Sequence, residues 1–512
     1  MDSNGDVTGR RWLAALAGAV SAAGGLAAAE VVAGFFSLGA SPVLSVGEGI
    51  IGVTPGSVAE AAIQAVGKAD KPLLVVGTVI GALVLGAVAG VLSLRRLLLG
   101  GALLTLLGVV AGWAALAPAD AGTADVFPAA AAVVVSVLLL SWLHSLLTGD
   151  RSAQGAQRAD ISRRAFLQRT GLVAVGAVVL AGAGRALGAG RRAVEDARRF
   201  VSLPLPEPVV PEGVAVDVPG VGPWQTPNGA FYRIDTALAV PEVTPGDWRL
   251  RIHGLVDREI ELGYDDLVAR GLTSAWITLA CVSNEVGGSL IGNAYWSGVP
   301  VADLLAEAGV RPEADSVLQT SVDGWTCSTP LRVLTDNRNS LLAVGMNGEP
   351  LPIEHGFPVR MVVPGLYGFV SATKWVVDLE VTRFEEITAF WTARGWAERG
   401  PIKTQSRIEV PRRGSTVSAG RVPVGGVAWD QHTGIARVEV QVDDGPWAEA
   451  RLAEVPNVDT WRQWAWVWDA EPGEHTLTVR ATNRVGETQT SEEQGVIPDG
   501  ATGWHTIDVF VE

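Results

Sequence analysis

Cysteine is nearly absent from this chain. Only Cys281 and Cys327 occur in 512 residues, so a disulfide scaffold is excluded. The same scarcity excludes a structural zinc pattern, a CxxCH haem attachment and a cysteine-held iron–sulfur cluster. Histidine is scarce too, with 6 residues and no paired spacing that would support a haem. Basic residues are outnumbered: 39 Lys and Arg against 54 Asp and Glu give a formal net charge of -15, which argues against nucleic acid as a partner. What is abundant is unevenly spread. Ala, Val, Leu and Gly dominate roughly the first 190 residues, and the remainder is mixed, polar and Trp-rich. This composition predicts a membrane part joined to a soluble part, and the length suggests about three domains.

Four apolar stretches, near 12–36, 73–94, 97–116 and 126–147, reach the length that crosses a hydrocarbon core of about 30 Å as a helix. A fifth, 171–190, has fewer strong hydrophobes and more Gly and Ala. Charge orients them. Arg10 and Arg11 precede the first stretch, and Arg95 and Arg96 separate the second from the third. Arg151, Arg158, Arg163, Arg164 and Arg169 lie between the fourth and fifth. Segments 37–72 and 117–125 read as acidic or weakly charged loops. The positive-inside rule then puts the N-terminus in the cytoplasm and everything past about residue 190 outside. Arg185, Arg191 and Arg192 run against the rule, but long domains translocate largely regardless of such charges. Glu30 is either an intramembrane functional carboxylate or a residue of the outer interface. His144 is interfacial unless a second ligand makes it a haem site.

Residues 162–168, SRRAFLQ, resemble the twin-arginine export signal S-R-R-x-F-L-K, with Gln168 in place of Lys. The competing reading is an ordinary basic cytoplasmic flank. A twin-arginine address implies a passenger that crosses folded, with a cofactor already inserted. Beyond it, RRAVEDARRF reads as a short charged helix and LPLPEPVVPEGV as an extended proline-rich spacer. A break near 385–410 separates mixed helix and strand signals from short alternating segments. ARVEVQV places Val438, Val440 and Val442 on one face, and Asp443–Asp444–Gly445 signals a hairpin turn. WAWVW puts Trp464, Trp466 and Trp468 on one side. The pattern predicts a β-sandwich of immunoglobulin type with the tryptophans in its core or at a domain interface.

Cys281 lies in ITLACVSNEVGG, close to Asn284, Gly287 and Gly288. A thiolate is a soft ligand suited to soft metal centres, and glycines let a bulky ligand approach the backbone. Taken alone, a cysteine after an apolar run is more often a small buried hydrophobe.

Further motifs, in order, carry a resemblance. They are TPNGAFYRIDTAL, TLACVSNEVGG, IGNAYWSGVPVADLLAEAGV, MNGEPLPIEHGFPVRMVVPG and SATKWVVDLEV. Over about residues 220–512 the chain resembles the sulfite oxidase family of molybdopterin enzymes. The resemblance implies a multi-domain protein. Residues 1–150 would be a four-helix transmembrane region. Residues 151–200 would hold the twin-arginine-like motif, a fifth transmembrane helix and a linker. A mixed α+β molybdopterin-binding domain would follow over 205–390, and an immunoglobulin-like sandwich of the family's dimerisation type over 395–512, which admits a homodimer.

The resemblance also implies roles. Cys281 would ligate molybdenum, and Arg233 would join it at the reacting centre. Phe231, Tyr232 and Arg233 would contact the pterin, and His355 and Arg360 would hold the cofactor. Lys374, flanked by Ala372 and Thr373, would lie near its phosphate. Asn284, Thr320 and Asp323 would hydrogen-bond the ring system. Cys327 is a buried spectator by default, with pairing to Cys281 or a redox role as alternatives.

Some positions depart from sulfite oxidases. Where that family carries basic residues after Cys-x-x-Asn, this chain has Glu285 and Val286. Ser371 stands at an Arg position, Trp325 at a pocket Tyr and Asp235 at a His. Removing cations and adding a carboxylate disfavours an anion, so sulfite is not the expected substrate. The expected protein is a membrane-anchored, outward-facing molybdopterin oxidoreductase that transfers an oxygen atom to or from a small neutral or cationic molecule. It would exchange electrons with a separate cytochrome or the quinone pool, because no haem or iron–sulfur site is visible in the sequence. The alternatives are a sulfite or organosulfur dehydrogenase, and a non-catalytic scaffold with a degenerate pocket.

Overall fold

The computed structural model describes residues 3–35, 41–55, 58, 61–62, 69–117, 122–148, 167–180, 182, 189–336 and 338–512. Two compact units divide the chain. The first takes 1–54, 58–195 and 236–242; the second takes 55–57, 196–235 and 243–512.

The first unit is helical, because long runs of Ala, Leu and Val satisfy their backbone groups internally only as helices when water is excluded. Its elements are α1 (Ser3–Phe35), α2 (Pro42–Val53), α3 (Asp70–Ser93), α4 (Leu97–Ala115) and α5 (Phe127–Thr148). Helical stretches Gly9–Phe35, Asp70–Ser93, Leu97–Ala115 and Thr123–Thr148 are each long and apolar enough to cross a bilayer. These are the four stretches expected from hydropathy. The expected fifth begins as α6 (Leu167–Leu180), which is shorter than a span. Residues 181 and 183–188, and 162–166 of the twin-arginine-like motif, lie outside the described residues.

Helix α2 falls where charge alone suggested a loop. Pro42 at its first turn and the apolar Ile50, Ile51 and Val53 account for it. Helix α1 packs against α3 and α5. A Cβ on Gly18 would lie 2.1 Å from the Gly86 carbonyl oxygen, and one on Gly90 would lie 1.9 Å from that of Ala14. Glycine therefore lets α1 and α3 touch backbone to backbone, as small residues do between membrane helices.

Helix α7 (Ala189–Phe200) leads into the second unit. Arg198 in its last turn donates from Nε to the Leu351 carbonyl at 2.7 Å and from Nη2 to that of Pro350 at 2.8 Å. The elements that follow are β1 (Arg249–Gly254), β2 (Ile260–Gly263), α8 (Tyr264–Val268), β3 (Thr273–Ala280), β4 (Ile291–Pro300) and α9 (Val301–Ala308). Next come β5 (Ser316–Ser321), β6 (Thr326–Pro330), α10 (Leu331–Thr335), β7 (Leu341–Met346), β8 (Glu349–Pro350), β9 (Arg360–Val362) and β10 (Val376–Thr382). One sheet runs β2-β1-β10-β5-β6 and the other β3-β4-β7-β8, with β9 on β7. Trp248, Trp296, Phe357 and Trp375 are buried among these elements.

The C-terminal part is a two-sheet sandwich. Its strands are β11 (Gln405–Val410), β12 (Thr416–Val417), β13 (Gly420–Trp429), β14 (Ile435–Val442), β15 (Ala448–Glu449), β16 (Arg451–Leu452), β17 (Arg462–Ala470), β18 (Gly473–Asn483) and β19 (His505–Val511). The sheets are β11-β13-β17-β16 and β12-β19-β18-β14-β15. Val438, Val440, Trp464 and Trp468 share its core, so the alternating valines and tryptophans are core residues. The expected hairpin turn follows β14, with Asp443 in the left-handed region at φ 50°.

Candidate active site

Cys281 is the first residue after β3, in the loop 281–290 that joins β3 to β4. The loop is closed at its root by the Cys281 N–H on the Leu290 carbonyl at 2.9 Å. Asn284 reinforces the closure: its Oδ1 accepts the Leu290 N–H at 2.7 Å. Gly287 has φ +75°, and a Cβ there would fall 2.2 Å from Cδ2 of His505; a Cβ on Gly288 would fall 2.7 Å from Asn284 Oδ1. The sequence suggested that these glycines admit a ligand. Protein atoms occupy the space beside them instead, because a short loop must fold on itself to close. Neither cysteine forms a disulfide. Cys281 is buried, with 8 % of its surface exposed. Cys327, in β6, is fully buried, with its Sγ 3.2 Å from Thr373 Oγ1. Burial pushes its thiol up to about 12, so it stays protonated and inert.

Four other segments converge on a second cluster. The Phe231 ring stacks on Tyr232 at 5.1 Å and meets His355 edge-on at 5.6 Å and Trp296 at 5.7 Å. Gly292 in β4 makes room for it, since a Cβ there would lie 2.7 Å from the ring. His355, at the end of the turn Ile353–His355, sets Nε2 3.0 Å from the Asn228 carbonyl. A carbonyl only accepts, so Nε2 carries the proton. Burial, reinforced by Arg360, pulls the imidazole down to about 4 and keeps it neutral.

Arg360 opens β9 and is 5 % exposed. It donates to the His355 carbonyl at 3.1 Å and to its neighbour Met361 at 3.3 Å, and its guanidinium lies 5.0 Å from the Trp296 ring centroid. No ion pair to Arg360 is formed among the described residues. Burial draws it down to about 10, which leaves it charged at neutral pH. Gly356, at φ +110°, brings these chains together: a Cβ there would lie 2.9 Å from Arg360 Cβ and 3.1 Å from Lys374 Cβ.

Lys374 returns to the cluster through the Met361 N–H on the Thr373 carbonyl at 2.8 Å. Its Nζ donates to Asp235 Oδ2 at 2.5 Å and to the Glu354 carbonyl at 3.2 Å. Arg233 Nε lies 2.9 Å from the same Asp235 oxygen. The sequence assigned Lys374 to a phosphate, but its ammonium is bonded to a carboxylate. A buried ammonium needs a counter-charge, and Asp235 supplies it. Burial lowers Lys374 to about 8, with Asp235 opposing the shift.

Tyr232 links the two clusters. Burial and then the nearby Cys281 push its phenol above the ordinary tyrosine range. The remaining assigned residues lie further out. Thr320 pairs with Asp378 and Thr326 in the β10-β5-β6 ladder. Asp323 Oδ1 accepts the Trp325 N–H at 3.2 Å in the β5–β6 turn, and the Val322 N–H in that turn reaches the Trp375 carbonyl at 3.0 Å. Ala372 closes a turn on Gly368 at 3.0 Å, and the Ser371 hydroxyl donates to the Tyr367 carbonyl at 2.9 Å. Two members of the cluster escape a reading by residue type. The Asn228 carbonyl acts through a backbone atom, which side-chain identity does not reveal. Trp296 has the sequence signature of any core tryptophan.

His355 makes the site acid-sensitive. Its folded pKa of about 4 lies below the 6.5 of an ordinary histidine, so the unfolded chain takes up the proton first as pH falls. The stabilisation is whole above pH 6.5 and is lost progressively down to about pH 4, to the extent of about 3 kcal/mol. A His355→Gln protein should therefore lose less stability between neutral and acid pH than wild type. Denaturant melts of both proteins at the two pH values measure the difference.

A family profile described as oxidoreductase molybdopterin binding domain matches residues 237–391, and one described as bacterial Ig domain matches 405–479. The mitochondrial sulfite oxidase of Rattus norvegicus is 32 % identical over 342 residues, 56 % of this chain and 61 % of that protein. The chain thus spans about three fifths of the sulfite oxidase it matches. The uncharacterized oxidoreductase YuiH of Bacillus subtilis is 39 % identical over 153 residues, which is 30 % of this chain and 74 % of YuiH. Among solved structures, the sulfane dehydrogenase SoxCD of Paracoccus pantotrophus aligns with a TM-score of 0.50 at 25 % identity, covering 56 % of this chain and 81 % of that one.

Proposed function

Because this chain belongs to the sulfite oxidase family of molybdopterin-dependent oxidoreductases, we propose that it transfers an oxygen atom to or from a neutral or cationic small molecule, at a molybdenum held by Cys281. The observation that carries this reading is Arg360: a buried, charged guanidinium with no ion pair among the described residues, beside a histidine kept neutral. Such a cation calls for a buried anion, and the phosphate of a pterin cofactor meets that need. A soft thiolate donor nearby suits molybdenum, so the residues fit the group.

When bound, the pterin dithiolene and its metal supply two-electron oxygen-atom exchange. The rest is the work of this chain's residues. Arg360 fixes the phosphate end. His355, with its proton on the Asn228 carbonyl, adds no competing charge. Phe231 and Tyr232 wall the site and exclude water. The closed loop 281–290 presents the thiolate from a fixed position.

The substrate reading rests on charge. Asp235 gathers Arg233 and Lys374 onto one carboxylate, which reduces the positive field an anion would meet. One opposed pair at about 4 Å is worth about 4 kcal/mol at intermediate dielectric. Ser371, where sulfite oxidases carry an arginine, uses its hydroxyl on a backbone carbonyl. A second reading, a dehydrogenase of reduced sulfur, draws on the likeness to the sulfane dehydrogenase. The four apolar helices support a membrane anchor. Arg10 with Arg11 and Arg95 with Arg96 support a cytoplasmic N-terminus and an extracytoplasmic catalytic half. A separate cytochrome or the quinone pool would then exchange the electrons.

Metal analysis of the purified protein, followed by a substrate screen, tests this function. Stoichiometric molybdenum and turnover of sulfoxides or N-oxides with reduced viologen are expected. Saturable sulfite oxidation at micromolar KM would refute the substrate reading, and sulfane oxidation with an artificial acceptor would favour the second. A protein without molybdenum after full maturation would be a scaffold.

A further inference from the structure

The C-terminal sandwich grips the Cys281 loop at two adjacent glycines. Arg407 in β11 donates from Nη1 to the Gly288 carbonyl at 2.5 Å. The same guanidinium is ion-paired with Glu409, whose other oxygen accepts the Gly222 N–H at 2.9 Å. Arg407 is thus held from two sides and cannot swing away without breaking an ion pair of its own. His505, the first residue of β19, lays its ring against Gly287 so closely that any side chain there would collide with it. Its Nδ1 accepts the N–H of Ile408 at 3.0 Å. Consecutive residues of β11 therefore fix both contacts: Arg407 bonds the loop directly, and Ile408 aims the histidine ring at it. Burial, with Arg413 and Arg407, lowers His505 to about 4, so the ring stays neutral and Nδ1 stays an acceptor.

Gly287 and Gly288 have no side chains with which to pin themselves. Asn284 closes the root of the loop, but its far limb depends on what packs over it. We propose that Arg407 and His505 are positioning residues, a clamp through which the sandwich sets where the Cys281 sulfur stands. The proposal rests on the reading of Cys281 as the metal ligand. A displacement of about 1 Å at a reacting centre can cost about a hundredfold in rate, so a remote clamp of this kind controls turnover without touching substrate.

The test uses the full chain purified from cells unable to make molybdopterin. It follows alkylation of Cys281 by iodoacetamide by mass spectrometry, with buried Cys327 as internal control. Arg407→Met keeps the aliphatic stem and removes the donor; His505→Asn keeps an acceptor and removes the ring. Each should speed Cys281 alkylation about tenfold while Cys327 stays protected, as expected for the loss of one anchoring contact. Arg407→Lys, which keeps a donor, should return the rate towards wild type. In cofactor-loaded protein the Met and Asn variants should lower kcat far more than they raise KM. An unchanged Cys281 rate, or a Cys327 rate that rises with it, would overturn the clamp. The ligand reading is checked separately: cofactor loading of wild type should shield Cys281, and equal alkylation with and without cofactor would sink that reading alone.

Discussion

Replacing Cys281 with serine is expected to slow turnover by more than about a hundredfold, while the protein melts close to wild type. The two halves of this expectation have different causes. Residues that merely support a metal ligand cost ten- to a hundredfold in metal affinity or activity when removed, so loss of the ligand itself should exceed that range. A serine hydroxyl is a hard donor with a far higher pKa than a thiol and does not replace a soft thiolate on molybdenum. Stability should change little, because the loop is closed by backbone and Asn284 bonds that the substitution leaves alone. A buried hydroxyl in place of a thiol costs about 1 kcal/mol. Steady-state kinetics beside a thermal melt measure both halves. Full activity in the serine protein would end the ligand assignment.

Arg360→Met should have effects of opposite sign on the protein with and without its cofactor. Without cofactor, Arg360 is a buried cation with no ion pair among the described residues, and ionic burial of this kind is costly. Methionine fills similar volume against Trp296 without that cost, so the cofactor-free variant should melt at the wild-type temperature or above it. With cofactor, the phosphate loses its buried partner. Removing one member of a buried charge pair costs about 2–5 kcal/mol, so cofactor retention should fall on the order of a hundredfold or more. Molybdenum and pterin content after gel filtration report the loss. A cofactor-free variant that melts well below wild type would show that Arg360 serves the fold and not an anion.

Much of this architecture can be read from residue order. The apolar runs of α1, α3, α4 and α5 are too long to be anything but helices, and the two-residue alternation of Val438 and Val440 identifies a half-buried strand. Cys281, His355 and Arg360 stand out because their motifs are specific. Contacts between distant positions are harder to read. Asp235 registers in the sequence only as a missing histidine, yet it pairs with Lys374, 139 positions away. Arg407 resembles any other charge on a sandwich strand, and its bond to Gly288 crosses 119 positions. Helix α2 is hidden because its charge pattern resembles a loop, and only the proline and apolar residues at its ends speak for a helix.

The bonds from Arg198 to the carbonyls of Pro350 and Leu351 bear on how the catalytic half can be prepared by itself. The residues they hold lie a few positions ahead of His355. A truncation starting at residue 200 would discard the guanidinium and leave both carbonyls to be met by water, loosening the approach to the cofactor pocket. The cut belongs upstream of α7, so that this short basic helix travels with the enzyme it braces.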